Sequence, residues 1–415
     1  MDIKIGPWGS LALCLILVAC GGGGGGSSAS PQMPVVTASY ATWSASPQVV
    51  NEAQPGTPGP PPTVFSDETV RQVAHVSAGG TTLRVKLSNL FGPGPVTFTA
   101  VRIAKSLGAS SIDPSTDHAL SFAGAASVTV PEGAEIWSDD VALPLARAAD
   151  VAISIYVAAQ TPVETGHTSS NSTIYIAPGN AASAPSFTGA STRVSLFWLS
   201  ALAASSEQKT NVVVAFGDSI TEGSGSTLDR NMRYPDQLSV RLAGEANPAI
   251  CVVNAGIGGN RWVFDFPGPS GASRFDRDVL GVQGVTHAIV LLGINDLEVA
   301  HTIPSQTVTV QQLIDATQAA VSKAKAKGVK VLLGTLLPYK GSALYDLADE
   351  AVREAYNAWV RSQTVADGVV DFEAALRDPS DPLAIAPQFA SPDHIHPNDA
   401  GYGAMAAAVD ITKLR

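Results

Sequence analysis

The pattern of hydrophobic and polar positions changes character partway along this chain. From about residue 35 to residue 199, short segments alternate between apolar and polar side chains, as in TTLRVKL (81–87) and VAISIYV (151–157). Glycine- and proline-rich turns separate these segments, and none has a sustained helical period. This pattern is typical of a β-sandwich or jelly roll. Further strands are predicted at 96–103, 126–130 and 193–199.

After a polar segment at residues 205–210, the strands become fully apolar and alternate with helices. Apolar strands that alternate with helices indicate an α/β domain, in which a parallel sheet is covered on both faces. We therefore predict a β-rich domain at 35–204 and an α/β domain at 205–415. The predicted strands of the second domain are 211–216, 250–254, 287–292, 329–337 and 368–372, and its helices are about 234–243, 306–327, 344–363 and 400–414.

The first 34 residues differ in composition from both domains. Residues 11–19 are apolar apart from Cys14, and this run is too short to span a bilayer. We interpret residues 1–20 as a signal peptide. They end in Leu17-Val18-Ala19-Cys20, which resembles the bacterial lipobox and implies lipidation of Cys20 after cleavage. An ordinary secretory signal is the alternative. Residues 21–34 begin with six glycines and are interpreted as a flexible tether.

Charge and cysteine content limit the classes of partner. The net charge of −11 repels phosphate backbones and argues against nucleic acid. After the predicted processing, Cys251 would be the one cysteine left unmodified, so no intramolecular disulfide is expected. Cys251 lies in an apolar run and is predicted to be a small buried residue. We expect an exported protein of the bacterial cell envelope that is anchored to a membrane by its N-terminal lipid. The expected location is the outer membrane or the cell surface, and secretion is the alternative.

Small and polar residues stand where three strands of the predicted parallel sheet end. In such sheets, functional sites lie outside the carboxyl ends of the strands. A fourth polar segment lies close to the C-terminus, and we expect all four to approach one another. The segments are Gly217-Asp218-Ser219, Gly256-Ile257-Gly258-Gly259-Asn260, Gly293-Ile294-Asn295-Asp296 and Asp393-His394-Ile395-His396.

These four segments, in this order, resemble the motifs of the SGNH hydrolases, also called the GDSL family of lipases and esterases. The resemblance covers about residues 211–415 and implies a flavodoxin-like, three-layer α/β/α hydrolase domain. It implies that Ser219 is the nucleophile, His396 its base and Asp393 the residue that orients His396. It also implies an oxyanion hole formed by the N–H groups of Ser219 and Gly259 and the amide of Asn295. No cofactor and no metal are expected.

The residue types suit this chemistry. A serine hydroxyl is a poor nucleophile until a base takes its proton, and histidine can do so near neutral pH. Glycine lets its main chain approach a substrate closely, because it has no Cβ. Fixed N–H donors aimed at a developing oxyanion can each lower the barrier by roughly 3 kcal/mol.

The same residues allow other interpretations. A serine at a turn is often a helix N-cap, and Asp393 could form an Asx turn. His394 and His396 could bind a metal together with Asp393, although no third protein ligand is evident. The glycines after the second strand hint at a dinucleotide-binding turn, but Arg261 stands where the last glycine would be. The Gly-x-Ser-x-Gly elbow of the α/β-hydrolases is absent from the sequence.

The substrate is less well defined. Arg261 and Trp262 follow the oxyanion glycine, so we predict that they line the substrate pocket; a salt bridge and a packed indole are the alternatives. The Pro/Gly-rich insert at 264–273 lacks a long apolar lid, which favours short acyl groups, acetyl first. We expect an acetylated saccharide or another short-chain ester as substrate. A lipolytic or lysophospholipase-type acylhydrolase and a non-catalytic, glycan-binding surface lipoprotein are the alternatives.

Aromatic residues of the first domain offer one further candidate surface. Trp43, Trp137 and Trp198 could stack against sugars, although core packing is the more common fate of a tryptophan.

Overall fold

The computed structural model describes residues 38–53, 61–243, 250–299 and 303–415. The predicted signal peptide, Cys20 and the glycine-rich tether lie outside these ranges.

The N-terminal part of the described chain is built from short antiparallel strands, as the alternating pattern predicts. The strands are β1 (Ala38–Ser44), β2 (Gln48–Val49), β3 (Thr63–Phe65), β4 (Glu68–His75), β5 (Gly80–Asn89), β6 (Val96–Phe98), β7 (Ala100–Gly108), β8 (Ser111–Ile112), β9 (His118–Ala119), β10 (Val128–Val130), β11 (Ala134–Trp137), β12 (Val141–Leu145), β13 (Asp150–Val157), β14 (Thr161–Val163), β15 (Thr165–His167), β16 (Ile174–Pro178), β17 (Ser191–Arg193), β18 (Leu196–Phe197) and β19 (Leu199–Ser206). A short 3-10 helix lies at Pro114–Thr116.

Two large antiparallel sheets dominate this part. One has the order β1-β19-β5-β11, with β12 also paired to β5, and the other has the order β17-β16-β4-β13-β7-β8, with β9 paired to β7. Val85 of β5 and Ile153 of β13 are fully buried and belong to one hydrophobic core. Along most of β5 every second residue is buried, which explains why this strand is recognisable in the sequence.

Two predicted strands are interrupted in the structure. The segment 96–103 divides into β6 and β7 at Thr99, and the segment 193–199 divides among β17, β18 and β19. Trp198, which has a positive φ of 58°, separates the last two. Its indole is buried against Phe65, Phe98 and Phe197, so Trp198 is a core residue and not part of a sugar-stacking surface.

The C-terminal part contains a five-stranded parallel sheet, as predicted. Its strands are β20 (Asn211–Gly217), β21 (Ile250–Gly256), β22 (Val285–Leu291), β23 (Lys330–Gly334) and β24 (Gly368–Val370). Their spatial order is β21-β20-β22-β23-β24, which is the flavodoxin-like order 2-1-3-4-5. The interior strand β20 is buried along almost its whole length, so its near-continuous apolar run follows from burial on both faces.

The helices that connect these strands pack in two groups, α2 with α8 and α5 with α6, as in a three-layer α/β/α domain. Their bounds are α1 (Ser219–Glu222), α2 (Tyr234–Ala243), α3 (Gly271–Phe275), α4 (Ile294–Glu298), α5 (Val310–Ala326), α6 (Leu347–Ser362), α7 (Phe372–Leu376) and α8 (Asp399–Ala408). A π-helix at Asp276–Leu280 and 3-10 helices at Pro304–Gln306 and Ile411–Leu414 complete the set.

The antiparallel part covers the edge of the parallel sheet. Strand β1 packs on the edge strand β21, where the Cys251 thiol donates to the carbonyl of Ala41 at 3.0 Å. The N–H of Val252, which has no strand neighbour on this side, donates to the hydroxyl of Ser77 at 2.7 Å. Cys251 is buried and unpaired with another cysteine, as predicted. The antiparallel part therefore covers β21 and supplies hydrogen-bond partners to a sheet edge that would otherwise be unpaired.

Candidate active site

The first strand of the parallel sheet leads directly into a short helix that begins at Ser219. Asp218 is the N-cap of this helix, and its Oδ1 accepts a hydrogen bond from the N–H of Ile220 at 3.0 Å. Ser219 is therefore the first helical residue, and its side chain is not needed for the cap. The N-cap interpretation applies to Asp218 instead, which leaves the Ser219 hydroxyl available for another partner.

Three side chains from the first and last of the polar segments form a continuous chain of hydrogen bonds. The Oγ of Ser219 lies 2.8 Å from Nε2 of His396. The Nδ1 of the same ring lies 2.7 Å from Oδ2 of Asp393. Because the carboxylate can only accept at Nδ1, the ring presents Nε2 as an acceptor to the serine hydroxyl when it is neutral. This arrangement can withdraw a proton from Ser219.

Asp393 has two separate tasks in the loop that carries His396. Its Oδ1 accepts from the main-chain N–H groups of Ile395 and His396, at 3.1 and 3.0 Å, while Oδ2 holds the imidazole. The Asx-turn interpretation and the orienting role are therefore both compatible with the geometry. Partial burial opposes ionisation of Asp393, but these hydrogen bonds outweigh it and keep the pKa of the carboxyl below its usual value.

The neighbouring histidine is arranged differently. His394 is exposed and has a φ of 62°, so residues 393–396 form a turn and not a strand. The shared face on which the metal interpretation depends is therefore missing. Among the described residues, no group of three or more His, Cys, Asp or Glu side chains is arranged to hold a metal ion.

The two other polar segments lie side by side. The Nδ2 of Asn295 donates to the carbonyl of Asn260 at 3.1 Å, which places the amide next to the residue that follows Gly259. An amide nitrogen carries two hydrogens, so one remains for a further acceptor. Gly259 has a φ of 71°, and a Cβ at this position would lie 2.8 Å from Cγ of Pro267. Only glycine fits this left-handed turn and close contact without strain.

Buried charged groups hold these segments in place. Asp296 accepts from the N–H groups of Trp262 and Val263 at 2.7 and 3.0 Å, which ties the loop after Gly259 to helix α4. Burial raises the pKa of Asp296 to about 6, although the two N–H groups favour its charged form. Burial likewise raises the pKa of Asp218 to about 7, against the N–H of Ile220, and its Oδ2 has no hydrogen-bond partner within the described ranges.

The prediction that Arg261 and Trp262 line the substrate pocket needs correction, because both side chains are buried. Arg261 donates to the carbonyls of Phe266 and Asp265 and, at 2.6 Å, to Oε1 of Gln306. The indole of Trp262 packs against Phe216, with ring centroids 5.8 Å apart. Both residues stabilise the loop and the core behind the site and do not face solvent. Their positions after Gly259 suggested a role in the substrate pocket, but the fold turns both side chains into the protein interior.

Residues 215–404 match the model of the GDSL-like lipase/acylhydrolase family. These residues form a GDSL-like lipase/acylhydrolase domain. This match supports ester hydrolysis as the chemistry of residues 215–404.

Several solved structures are similar to the GDSL-like domain, and each covers about half of the chain. The α/β hydrolase enzyme LAE5 from the metagenome of Lake Arreo, Spain, has 21% identity and a TM-score of 0.38, with 49% of this chain and 94% of that chain covered. A GDSL-like lipase from Bacteroides thetaiotaomicron has 19% identity and a TM-score of 0.36, with 49% and 87% covered. A catalytic mutant of Axe2, an acetylxylan esterase from Geobacillus stearothermophilus, has 20% identity and a TM-score of 0.38, with 50% and 95% covered. No curated protein matches the chain.

Three residues that organise the GDSL-like site were not singled out from the sequence for this role. They are Asp218, which caps helix α1, Asp296, which holds the loop after Gly259, and Arg274, which joins the strand ends. Asp218 and Asp296 stand inside the polar segments, so their position was a signal. Arg274 lies in the short helix α3, and nothing in its sequence neighbours indicates that it is fully buried.

No helix within the described ranges is both long enough and apolar enough to cross a membrane.

Proposed function

We propose that the protein is a serine esterase that hydrolyses carboxylic esters with Ser219 as nucleophile, His396 as general base and Asp393 as the orienting carboxylate. The observation that carries this proposal is the hydrogen-bonded chain from Ser219 Oγ through His396 to Asp393, with distances of 2.8 and 2.7 Å. The three groups come from opposite ends of the hydrolase domain, and a purely structural serine would not require both partners.

In the first half of the proposed reaction, Nε2 of His396 takes the hydroxyl proton as Oγ of Ser219 attacks the ester carbonyl. Asp393 stabilises the imidazolium that forms. The negative charge on the carbonyl oxygen is met by the N–H groups of Ser219 and Gly259 and by the remaining hydrogen of the Asn295 amide. The C–O bond to the alcohol then breaks, and His396 gives its proton to the leaving oxygen, which yields the alcohol and an acyl-serine.

The second half regenerates the enzyme with water as the nucleophile. His396 takes a proton from water as the hydroxyl group attacks the acyl-serine, and the same donors stabilise the second oxyanion. The bond to Ser219 Oγ breaks, and Oγ recovers the proton from His396. The products are a carboxylic acid and an unmodified serine, so the cycle needs no metal and no cofactor.

We propose a short acyl group, acetyl first, on a saccharide or another small alcohol. The loop at 264–270 supports this proposal, because its Pro267 lies directly against Gly259 and narrows the space beside the proposed oxyanion hole. The loop is held in place by Glu52, whose Oε2 accepts from the N–H of Gly268 at 2.6 Å. A loop held in this way leaves little room beside the proposed oxyanion hole for a long acyl chain.

We also propose that the protein is exported and anchored to a membrane through a lipid on Cys20. The lipobox-like sequence before Cys20 and the glycine-rich segment after it support this proposal. Expression in a bacterial host with radiolabelled palmitate tests it. We expect label in the membrane fraction for the wild type and none for Cys20→Ala, while equal labelling of both would contradict the anchor.

A fluorophosphonate probe tests the proposed nucleophile, because it reacts with a serine only where the hydroxyl is activated. We expect one adduct per chain, located on Ser219 by peptide mass spectrometry and abolished in Ser219→Ala. Ser322→Ala, which makes the same change on the exposed side of helix α5, serves as the matched control and should label like the wild type. No adduct on the folded wild type would refute the serine mechanism and favour a non-catalytic binding protein.

A series of p-nitrophenyl esters from acetate to palmitate tests the proposed acyl group. We expect kcat/KM to be highest for acetate and to fall steadily with chain length. A maximum at octanoate or beyond would contradict the short-chain proposal and indicate a lipolytic enzyme. Acetylated xylo-oligosaccharides, assayed by release of acetate, then test whether a saccharide is an acceptable alcohol.

A further inference from the structure

A buried histidine of the antiparallel part contacts the helix that begins at Ser219. His167, the last residue of β15, and Glu222, the last residue of α1, are both buried, and Nε2 of the histidine lies 2.9 Å from Oε1 of the glutamate. The two atoms are at ion-pair distance without the alignment of a hydrogen bond, and Oε2 has no partner among the described residues. Within the described part of the chain, His167 is thus the one polar partner of this carboxylate.

The second nitrogen of the ring determines how protons are shared in this pair. Nδ1 of His167 lies 3.0 Å from the main-chain carbonyl of Ser46, which can only accept, so Nδ1 carries a hydrogen. A neutral ring would then turn the lone pair of Nε2 toward an ionised Glu222, which is repulsive.

Glu222 in turn touches the loop that ends at Gly259. A Cβ at Gly258 would lie 2.7 Å from Oε2 of Glu222, and a Cβ at Gly256 would lie 2.2 Å from its main-chain nitrogen. The loop is also attached to the first strand, because the N–H of Ile257 donates to the carbonyl of Gly217 at 3.1 Å. The glutamate therefore fills the space between the helix of Ser219 and the main chain of the glycine loop.

We propose that His167 and Glu222 are positioning residues, through which the antiparallel part fixes the glycine loop relative to Ser219. This inference rests on the proposed esterase function, because it concerns the direction of the Gly259 N–H toward the oxyanion. Without His167, a buried carboxylate loses its partner and turns toward the small cavity beside it, of about 40 Å³, which Glu222 and Gly256 help to line. A shift of the loop by about 1 Å would lower the rate about 100-fold.

Kinetics of substitutions at the pair test this proposal in the full-length protein with p-nitrophenyl acetate. For His167→Ala we expect kcat to fall at least about 10-fold with KM nearly constant, since the loop acts on the transition state. For His167→Gln we expect recovery to within about 3-fold of the wild type, because its amide can donate to Glu222 from the position of Nε2. A structural role alone would not produce this recovery in kcat at constant KM.

The matched control removes another contact between the same two parts of the protein. Arg147 donates to the carbonyl of Ile250 at 2.6 Å, at the opposite end of β21 from the glycine loop. Arg147→Ala should lower the melting temperature and leave kcat unchanged. Circular dichroism at the assay temperature establishes that each variant is folded.

A second variant covers the case in which His167→Ala does not fold. Glu222→Asp keeps the carboxyl group but withdraws it from Gly258, and we expect a loss in kcat of about 10-fold. Wild-type kcat in folded His167→Ala or Glu222→Asp would overturn the positioning role and leave the esterase proposal standing. A wild type that neither turns over acetate nor reacts with fluorophosphonate would overturn both.

Discussion

The guanidinium of Arg274 donates a hydrogen bond of 2.7 Å from Nη2 to the main-chain carbonyl of Gly217, where the first parallel strand ends. Its Nη1 donates to the carbonyl of Ala255 in the neighbouring strand at 2.8 Å, and its Nε donates to Oδ1 of Asn260 at 2.9 Å. Asp278, 3.0 Å from Nη1, balances the charge. One fully buried side chain thus joins the strand before Ser219 to the loop of the proposed oxyanion hole.

Replacement of Arg274 by alanine should destabilise the protein strongly. The substitution leaves the buried carboxylate of Asp278 with fewer partners and removes donors from three acceptors, so we expect a loss of about 3–5 kcal/mol in the free energy of unfolding. Urea denaturation followed by circular dichroism measures it. Lys340→Ala removes an exposed ion pair with Asp381, and as the control it should cost about 1 kcal/mol or less. Equal losses in the two variants would contradict a special role for Arg274.

Asn295→Ala should slow the reaction without unfolding the protein. The amide offers one hydrogen to the carbonyl of Asn260 and, in the proposed mechanism, its second hydrogen to the oxyanion. Removal of one such donor lowers kcat about 10²- to 10³-fold. Steady-state kinetics with p-nitrophenyl acetate measures this loss. The same change at Asn211, whose amide bonds to Leu414 at the far end of the sheet, should leave kcat intact, and a loss confined to KM for Asn295→Ala would argue against the oxyanion role.

Asp218 should make stability depend on pH in a direction unusual for a carboxylate. Its pKa is raised to about 7 in the folded protein, so the folded state holds a proton that the unfolded state releases near pH 4. Stability from this group therefore falls as the pH rises from about 4 to about 7 and is constant above that range. Asp218→Asn keeps an N-cap side chain and removes the titration.

Urea midpoints between pH 4 and pH 8 test this prediction. The stability of Asp218→Asn relative to the wild type should increase up to about pH 7 and then level off. Asp393→Asn provides the opposite case, because hydrogen bonds lower the pKa of the Asp393 carboxyl in the folded protein. The contribution of Asp393 to the stability of the wild type is lost only as the pH falls through that lowered pKa. A pH-independent difference between wild type and Asp218→Asn would contradict an ionisable, destabilising Asp218.

Much of the fold follows from burial, which is why the sequence predicts it. Strand β20 is apolar because both faces are covered, and helix α2 occupies the predicted bounds Tyr234–Ala243. The errors occur where local geometry overrides the pattern. Trp198 continues the apolar run between β18 and β19, yet its positive φ breaks the strand, and a pattern of side chains carries no information about that angle.

The candidate site was predictable to the extent that its chemistry resides in short motifs. Ser219, Asp393 and His396 lie together as the motifs imply. Ser219 follows the end of β20, and the segment before α8 brings Asp393 and His396 to the same edge of the sheet. The support for these residues comes from distant positions. His167 lies 55 residues from Glu222 along the chain and meets it only after two parts of the protein pack, so no local pattern could indicate the pair.

Arg261 offers a last test, because the structure reverses the role expected from its position. Its buried side chain bonds to the carbonyls of Asp265 and Phe266 and to Gln306, so Arg261→Ala should lower the free energy of unfolding by about 2–3 kcal/mol. The KM for p-nitrophenyl acetate should stay within about twofold, since the guanidinium does not face the substrate. Urea denaturation and steady-state kinetics measure both. A large rise in KM with unchanged stability would restore Arg261 to the substrate pocket.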